Sequence, residues 1–517
     1  MKPEPAQFLQ TLAAIVLAAC FALPIHSQSQ PPPEAKEVQA ALALTDPAAK
    51  LKELERLTSA YPASAMKPQM DAQIQSIRIA QAGSLEEILA LHKKDFEGVK
   101  GALRVMGPGT AARQILDHPK RASFDKAKVL AAVEGYRDQA RKAAADPAVI
   151  AETEARLREY LPNMAADLEL LVARAQTLGG EPAKALATLD AYTKADGMGT
   201  GAYFLARADA LEALDRPKDA FAALVGAALE NSREGQRRAK DAFVKQNGKE
   251  EGFEEMLDAK RRTLPFHPAP VKAGPGWKGK AVLAELFTGS ECPPCVAADL
   301  AFDGLLESHP ATTVVVLEYH LPIPAPDPMM NAASKKRQDY YGVNSTPTVF
   351  FDGQDRNSGG GGRSMAATKY RQVAGRVAAR VDEAPGAVLK VQAGRKGDQV
   401  EAVVDLGKPL AGVDYLLALV QGQQEHKGGN KILVHKMLVR DLLTLEPGAR
   451  TAAFDLAASE KATDAYLTDF EKTSQRFRGF TFPVRRHAIS REGLKVVLFA
   501  QEQASKKVLQ AVLAEVK

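Results

Sequence analysis

The stretch AVLAELFTGSECPPCVAADLAFDGLL, residues 281–306, holds two of the chain's three cysteines. Its opening AVLAELF is an apolar, strand-like run. Beyond the cysteines, Cys295, Ala298, Phe302 and Leu305 recur at helical spacing and give one apolar face. The order is therefore strand, Cys292-Pro293-Pro294-Cys295, helix. It puts Cys292 at a helix N-terminus, where unpaired N–H groups and the positive end of the dipole stabilise a thiolate and lower its pKa below the free value of about 8.5. Cys292 is the expected nucleophile. Cys295, on the buried face of the first turn, is the thiol that resolves a mixed disulfide.

Further along, VNSTPTVFFDG (343–353) places Thr346-Pro347 directly before a strand, Thr348 to Phe351. Between the two motifs lie a strand TTVVVLEYH from Thr312 and a proline-rich LPIPAPDP (321–328), a stiff loop that would form one wall of a groove. A helix from Asn331 follows. After the Pro347 strand, a last helix from about Ser364 to Asp382 has Tyr370, Val373, Val377 and Val381 on its inner face. SGGGGRS (358–364) lacks the Lys of a phosphate loop and reads as a hairpin or helix lead-in.

Over 278–384 the chain resembles the thioredoxin superfamily, whose members carry a CxxC on the first helix and a cis-proline loop facing it. The resemblance implies that Cys292 and Cys295 cycle between dithiol and disulfide, and that Thr346 and Pro347 receive the substrate chain by backbone pairing. It also implies a buried acid beneath the CxxC. Glu285 is the candidate for this proton relay, though it stands seven residues before Cys292, one off the usual spacing, and needs a bulge or another strand register. With the segments EYHLPIPAPDPMMN, HKMLVRDLL and LKVVLFAQEQASKKVLQA, the chain looks like secreted or outer-membrane-associated bacterial thioredoxin-like proteins with a C-terminal β-sandwich.

Neither Pro293 nor Pro294 has a backbone N–H, so few amides can hold the Cys292 thiolate. The expected potential lies nearer the reducing end of the superfamily, about −270 mV, than the oxidising end, about −120 mV. A structural zinc site takes about four ligands and a catalytic one about three, and one CxxC supplies only a pair. His320, Met329 and Met330 could approach the thiols and make a copper site, but copper chaperones of the superfamily usually space their cysteines differently. No metal and no cofactor are expected.

The 517 residues are too many for one core and imply a multidomain chain. An apolar run from Phe8 to Leu23 after Lys2 reads as a signal peptide over 1–27. Leu17-Ala18-Ala19-Cys20 resembles a lipobox, so cleavage near Ser27 and lipid anchoring through Cys20 both stay open. Residues 36–260 form an all-α helical domain. There GGEPAKALATL (179–189) and LDRPKDAFAAL (214–224) match at an offset of 35, a spacing that resembles tetratricopeptide hairpins, with an irregular bundle as the other reading. Helices are expected at about 166–178, 182–195, 202–214 and 217–230. A Pro/Gly-rich linker spans 261–277 and contains Trp277, the only tryptophan. From 386 to 517, short strand-like runs separated by turns read as an antiparallel β-sandwich ending in a hairpin near Glu515, in which His435 and His487 are not ligands.

Net charge is +5 with both signs interleaved, which gives no basis for a nucleic-acid partner. The reading is an exported thiol–disulfide oxidoreductase, periplasmic or secreted, acting on protein thiols and disulfides and served by a redox partner protein. The alternative is a non-enzymatic binding or scaffold protein of the cell envelope in which the CxxC disulfide is inert.

Overall fold

Proline sets where several N-terminal helices begin. Pro47, Pro147, Pro182 and Pro217 each open a helix, at the position where a missing N–H costs nothing and the fixed φ already suits the helix. The computed structural model describes residues 34–194 and 199–517. The expected leader over 1–27 and Cys20 lie outside the described residues. The chain falls into two compact units, Met1–Gly197 with Asp209–Asp215, and Met198–Ala208 with Arg216–Lys517.

The first unit is helical. Val38, Leu54, Leu57, Met70 and Ile74 form one core, and Ile88, Ile115, Val133, Leu161 and Leu171 belong to a second. Asp46, Ser84 and Asp125 cap three helices by accepting a backbone N–H three residues on. The four helices expected from the repeat lie at Leu168–Gly179, Pro182–Lys194, Gly201–Ala213 and Pro217–Leu229. Gly180 takes the left-handed turn (φ 88°) between the first two, a conformation that favours glycine. Among the described residues no helix is long and apolar enough to cross a membrane.

Besides Met198–Ala208, the second unit holds helices α1 (Pro217–Leu229), α2 (Arg233–Asn247) and α3 (Phe253–Arg261). The linker after them is irregular, as its prolines imply, yet the division between compact units falls before α1 rather than at 261–277. The reason is bonding: buried Arg363 donates to the carbonyls of Lys260 and Arg261 at the end of α3.

There follow β1 (Val282–Thr288), α4 (Val296–Ser308), β2 (Val314–His320), α5 (Ala332–Tyr341), β3 (Thr348–Phe351), β4 (Asp355–Ser358) and α6 (Ala366–Ala378). Strands β1 and β2 pair in parallel, β3 runs antiparallel to β1, and β4 antiparallel to β3. Every residue of β1 and β2 is buried, the pattern of central strands covered on both faces.

The C-terminal block supplies β5 (Lys390–Lys396), β6 (Gln399–Asp405), β7 (Val413–Glu425), β8 (Val434–Leu445), β9 (Thr451–Asp455), α7 (Leu456–Thr473), β10 (Leu494–Glu502) and β11 (Val508–Glu515). Two sheets do pack there: Val400, Ala402 and Val404 of β6 share a core with Leu417, Leu419, Val496 and Leu498. The larger sheet is not self-contained, however. It runs β11-β10-β7-β8-β2-β1-β3-β4, joined where Glu318 of β2 meets Leu438 of β8. The separate sandwich expected over 386–517 is therefore corrected to a block that extends the preceding sheet. Helix α7, unexpected from the sequence, interrupts its strands.

Candidate functional site

Strand β1 ends at Thr288, and the chain turns through Gly289-Ser290-Glu291 into Cys292. A single 3₁₀ turn, Pro293–Cys295, then runs into α4. Cys292 and Cys295 are joined in a disulfide with Cα atoms 5.4 Å apart. Both cysteines are fully buried, although the two prolines between them are exposed.

Thr346 and Pro347 lie against the disulfide. The Thr346–Pro347 peptide is cis. Thr346 Oγ1 donates to the Ile323 carbonyl (2.8 Å) and sits 3.3 Å from Cys292 Sγ. Ile323 belongs to the proline-rich segment, which thus supplies the wall beside the two motifs.

Glu285 is not beneath the disulfide. The register of β1 against β2 and β3 is unbroken, with no bulge to shift it. Alternation along the strand therefore sends Glu285 and Thr288 to opposite faces. Thr288 bonds to α4, the CxxC helix. Glu285 bonds instead to α5, where Arg337 contacts both its oxygens (2.6 and 2.9 Å) and Tyr341 donates to it (2.7 Å). With Tyr319 also donating to it (3.1 Å), the carboxylate is held in a buried ion pair, so the relay assignment is withdrawn.

The buried acid on the α4 side of β1 is Asp299, which the sequence reading did not single out. It lies one helical turn beyond Cys295, on the same side of α4. Thr288 Oγ1 donates to Asp299 Oδ1 at 2.7 Å, whereas Oδ2 is buried without a protein partner. Burial pushes the carboxyl up to about 7, against the opposing pull of the Thr288 hydroxyl and His320. Neighbouring Asp303 is pushed up to about 6 and Glu318 well above the usual range, in both cases chiefly by burial. The signal was present as the i, i+4 spacing in CVAAD, but nothing in one sequence separates it from an ordinary helix aspartate.

Beside this acid, His320 Nδ1 is 2.9 Å from Asp327 Oδ2, and His320 Nε2 is buried without a partner. Asp327 accepts N–H groups from Ser290 (2.6 Å) and Met329 (2.8 Å). Burial opposes its charge, but His320 and these donors together hold it far below the ordinary carboxylate range. The LPIPAPDP insertion thus delivers one carboxylate that fixes both His320 and the turn before Cys292. His435 packs edge-on to His320 (4.9 Å), and burial depresses it to about 3, so it stays neutral at physiological pH.

No protein-family model matches this chain, and no curated protein does. A solved structure, HBP35 of Porphyromonas gingivalis, aligns with 46% of this chain and 76% of its own at 14% identity and a TM-score of 0.30. A likeness that low carries no argument. The site therefore rests on its own geometry. Among the described residues no group of three or more His, Cys, Asp and Glu is placed to hold a metal ion, and His487 lies apart near Asp464.

Proposed function

We propose that the chain is an exported thiol–disulfide oxidoreductase with a thioredoxin-like domain, acting through Cys292 and Cys295. The observation that carries this is the disulfide at a helix start with Thr346 Oγ1 3.3 Å from Cys292 Sγ beside a cis Thr346–Pro347 peptide. The succession β1-α4-β2-α5-β3-β4-α6, with sheet order β2-β1-β3-β4, supports the resemblance to the thioredoxin superfamily. The buried acid Asp299 on the Cys295 side supports it further.

In the reducing direction the Cys292 thiolate attacks a protein disulfide. A Cys292–substrate disulfide forms, and one substrate thiolate leaves and takes a proton from solvent. Cys295 gives its proton to the Asp299 carboxylate and attacks Cys292 Sγ. The second substrate thiolate leaves, and the Cys292–Cys295 disulfide remains. Two electrons pass to the substrate, and a redox partner protein returns them. The N–H-poor Pro-Pro dipeptide favours this direction. Residues 1–27 would direct export, ending in cleavage near Ser27 or lipid attachment at Cys20, and the helical region, with its tetratricopeptide-like spacing, would position the partner.

The complete burial of both cysteines favours a second reading, a scaffold protein with an inert disulfide. Insulin reduction with a thiol donor separates the two. Wild type should accelerate it and Cys292→Ser should not; equal rates would leave only the scaffold. Cys295→Ser should accumulate mixed disulfides with substrates in cells.

A further inference from the structure

Two glycine-containing loops bond to the chain on either side of the cysteines. The first follows β4. Gly361 N–H donates to the Pro294 carbonyl (2.7 Å), and Ala297 N–H donates back to the Gly361 carbonyl (3.0 Å). A Cβ on Gly360 would stand 1.8 Å from Pro294 O and 2.8 Å from Pro347 Cγ, so only glycine permits this approach. The second loop joins β7 to β8. Asn430 donates through its backbone N–H to Ser290 O (2.8 Å) and through Nδ2 to Gly289 O (3.2 Å). A Cβ on Gly428 would stand 2.5 Å from Ser290 O.

Helix α3 and the residues just after α1 and α3 hold both loops. Beside the first, Arg363 donates to carbonyls at the end of α3 (Lys260 2.7 Å, Arg261 3.3 Å), and Glu230 after α1 accepts the Ser364 N–H (2.6 Å). Across the second, Lys427 pairs with Asp258 (2.8 Å) and Glu254 (3.4 Å) of α3, and Glu425 pairs with Arg262 (2.7 Å). The two anchors differ in kind. Arg363 is buried and bonded to backbone, whereas Arg262 and Glu425 are 49% and 61% exposed. Exposed ion pairs contribute at most about 1 kcal/mol each and are screened by salt.

We propose that α3 clamps the Glu425–Lys431 loop shut over the turn into Cys292, and that release of these surface ion pairs, by salt or by an acidic or basic partner surface competing for them, opens the disulfide to thiols. The first loop stays fixed as the rear wall. The purpose of such a gate rests on the redox role proposed above, but its test does not, because it needs no protein substrate.

The test is the rate at which dithiothreitol reduces the Cys292–Cys295 disulfide in the full-length protein, followed by mass-tagging of the freed thiols. At low salt the Arg262→Glu/Lys427→Glu variant should react roughly fivefold faster than wild type, the equivalent of two exposed ion pairs. As salt is raised wild type should speed up and the variant, whose new like-charge contacts salt also screens, should slow, so that the two rates converge. Gly428→Ala, which forces the loop off Ser290, should also accelerate reduction, and the charge swap Arg262→Glu/Glu425→Arg should stay slow. If the double variant and Gly428→Ala both react at the wild-type rate at every salt concentration, the clamp does not exist. Should the double variant lose its cooperative melt, Gly428→Ala and the charge swap decide.

Discussion

At the scale of single residues, the proposed function turns on which acid would serve Cys295. Asp299 in the fold binds its proton up to about pH 7, against an ordinary aspartate value of 3.8. Its folded-state pKa is raised, so between pH 4 and 7 the folded protein holds a proton that the unfolded chain has released. Stability therefore falls as pH rises through that window. Asp303 and Glu318 push the same way; Asp327, held low, acts oppositely and loses its contribution in acid. Asp299→Asn keeps an acceptor for Thr288 and removes the charge. It should match wild type below about pH 4 and be more stable near pH 8, by the order of 4 kcal/mol in urea unfolding. Its disulfide-reducing rate should fall about 100-fold, with the neutral-pH inflection lost. A rate unchanged across pH 5–8 removes Asp299 from the mechanism. The sequence made the cysteines, Thr346 and Pro347 legible because each motif sits at a strand end, where spacing is informative. It misdirected the acid because glutamate in an apolar strand attracts notice while strand parity is invisible. Asp299, in a helix with several acids, does not stand out.

Among the elements, β1 and α5 are joined by the Glu285–Arg337 pair, with Arg337 Nη1 also reaching Gln501 of β10 (2.9 Å). A buried pair contributes little over an apolar replacement, but removing one partner strands a charge. Arg337→Met should cost about 3–5 kcal/mol in denaturant unfolding, and Glu285→Leu/Arg337→Met much less. If single and double variants lose stability equally, the network is not an ion pair in energetic terms. Elements were legible where burial is apolar: β7, β8 and β10 each carry a short apolar stretch, Tyr415–Val420, Met437–Val439 and Val496–Ala500. Helix α7 was not, because its buried face is Leu456, Ser459, Thr463 and Leu467, which mixes hydroxyls with leucines and blurs the period. The glycine run 359–362 reads in sequence as a hairpin or helix lead-in, and Gly360 within it permits close approach to Pro294 and Pro347.

For the molecule as a whole, the apparent boundary near residue 385 marks a change in composition and not in packing. Leu416, Val439, Leu442, Val497 and Phe499 from the C-terminal strands share one core with Phe287, Phe302 and Tyr319. Lys436 of β8 pairs with half-buried Asp303 of α4 at 3.2 Å. Excising 270–385 would uncover these apolar contacts at about 1.5–3 kcal/mol per side chain and leave Asp303 without its cation. That loss matches or exceeds the roughly 5–15 kcal/mol that keeps an ordinary domain folded. A 270–385 fragment should therefore melt without cooperativity and bind a hydrophobic dye, whereas 216–517 should unfold in one transition that coincides by circular dichroism and Trp277 fluorescence. A fragment that melts sharply with a native α/β spectrum overturns this. The redox chemistry proposed for Cys292 and Cys295 would accordingly belong to the extended sheet, and the potential of the pair should be measured on a chain that keeps β7, β8 and β10.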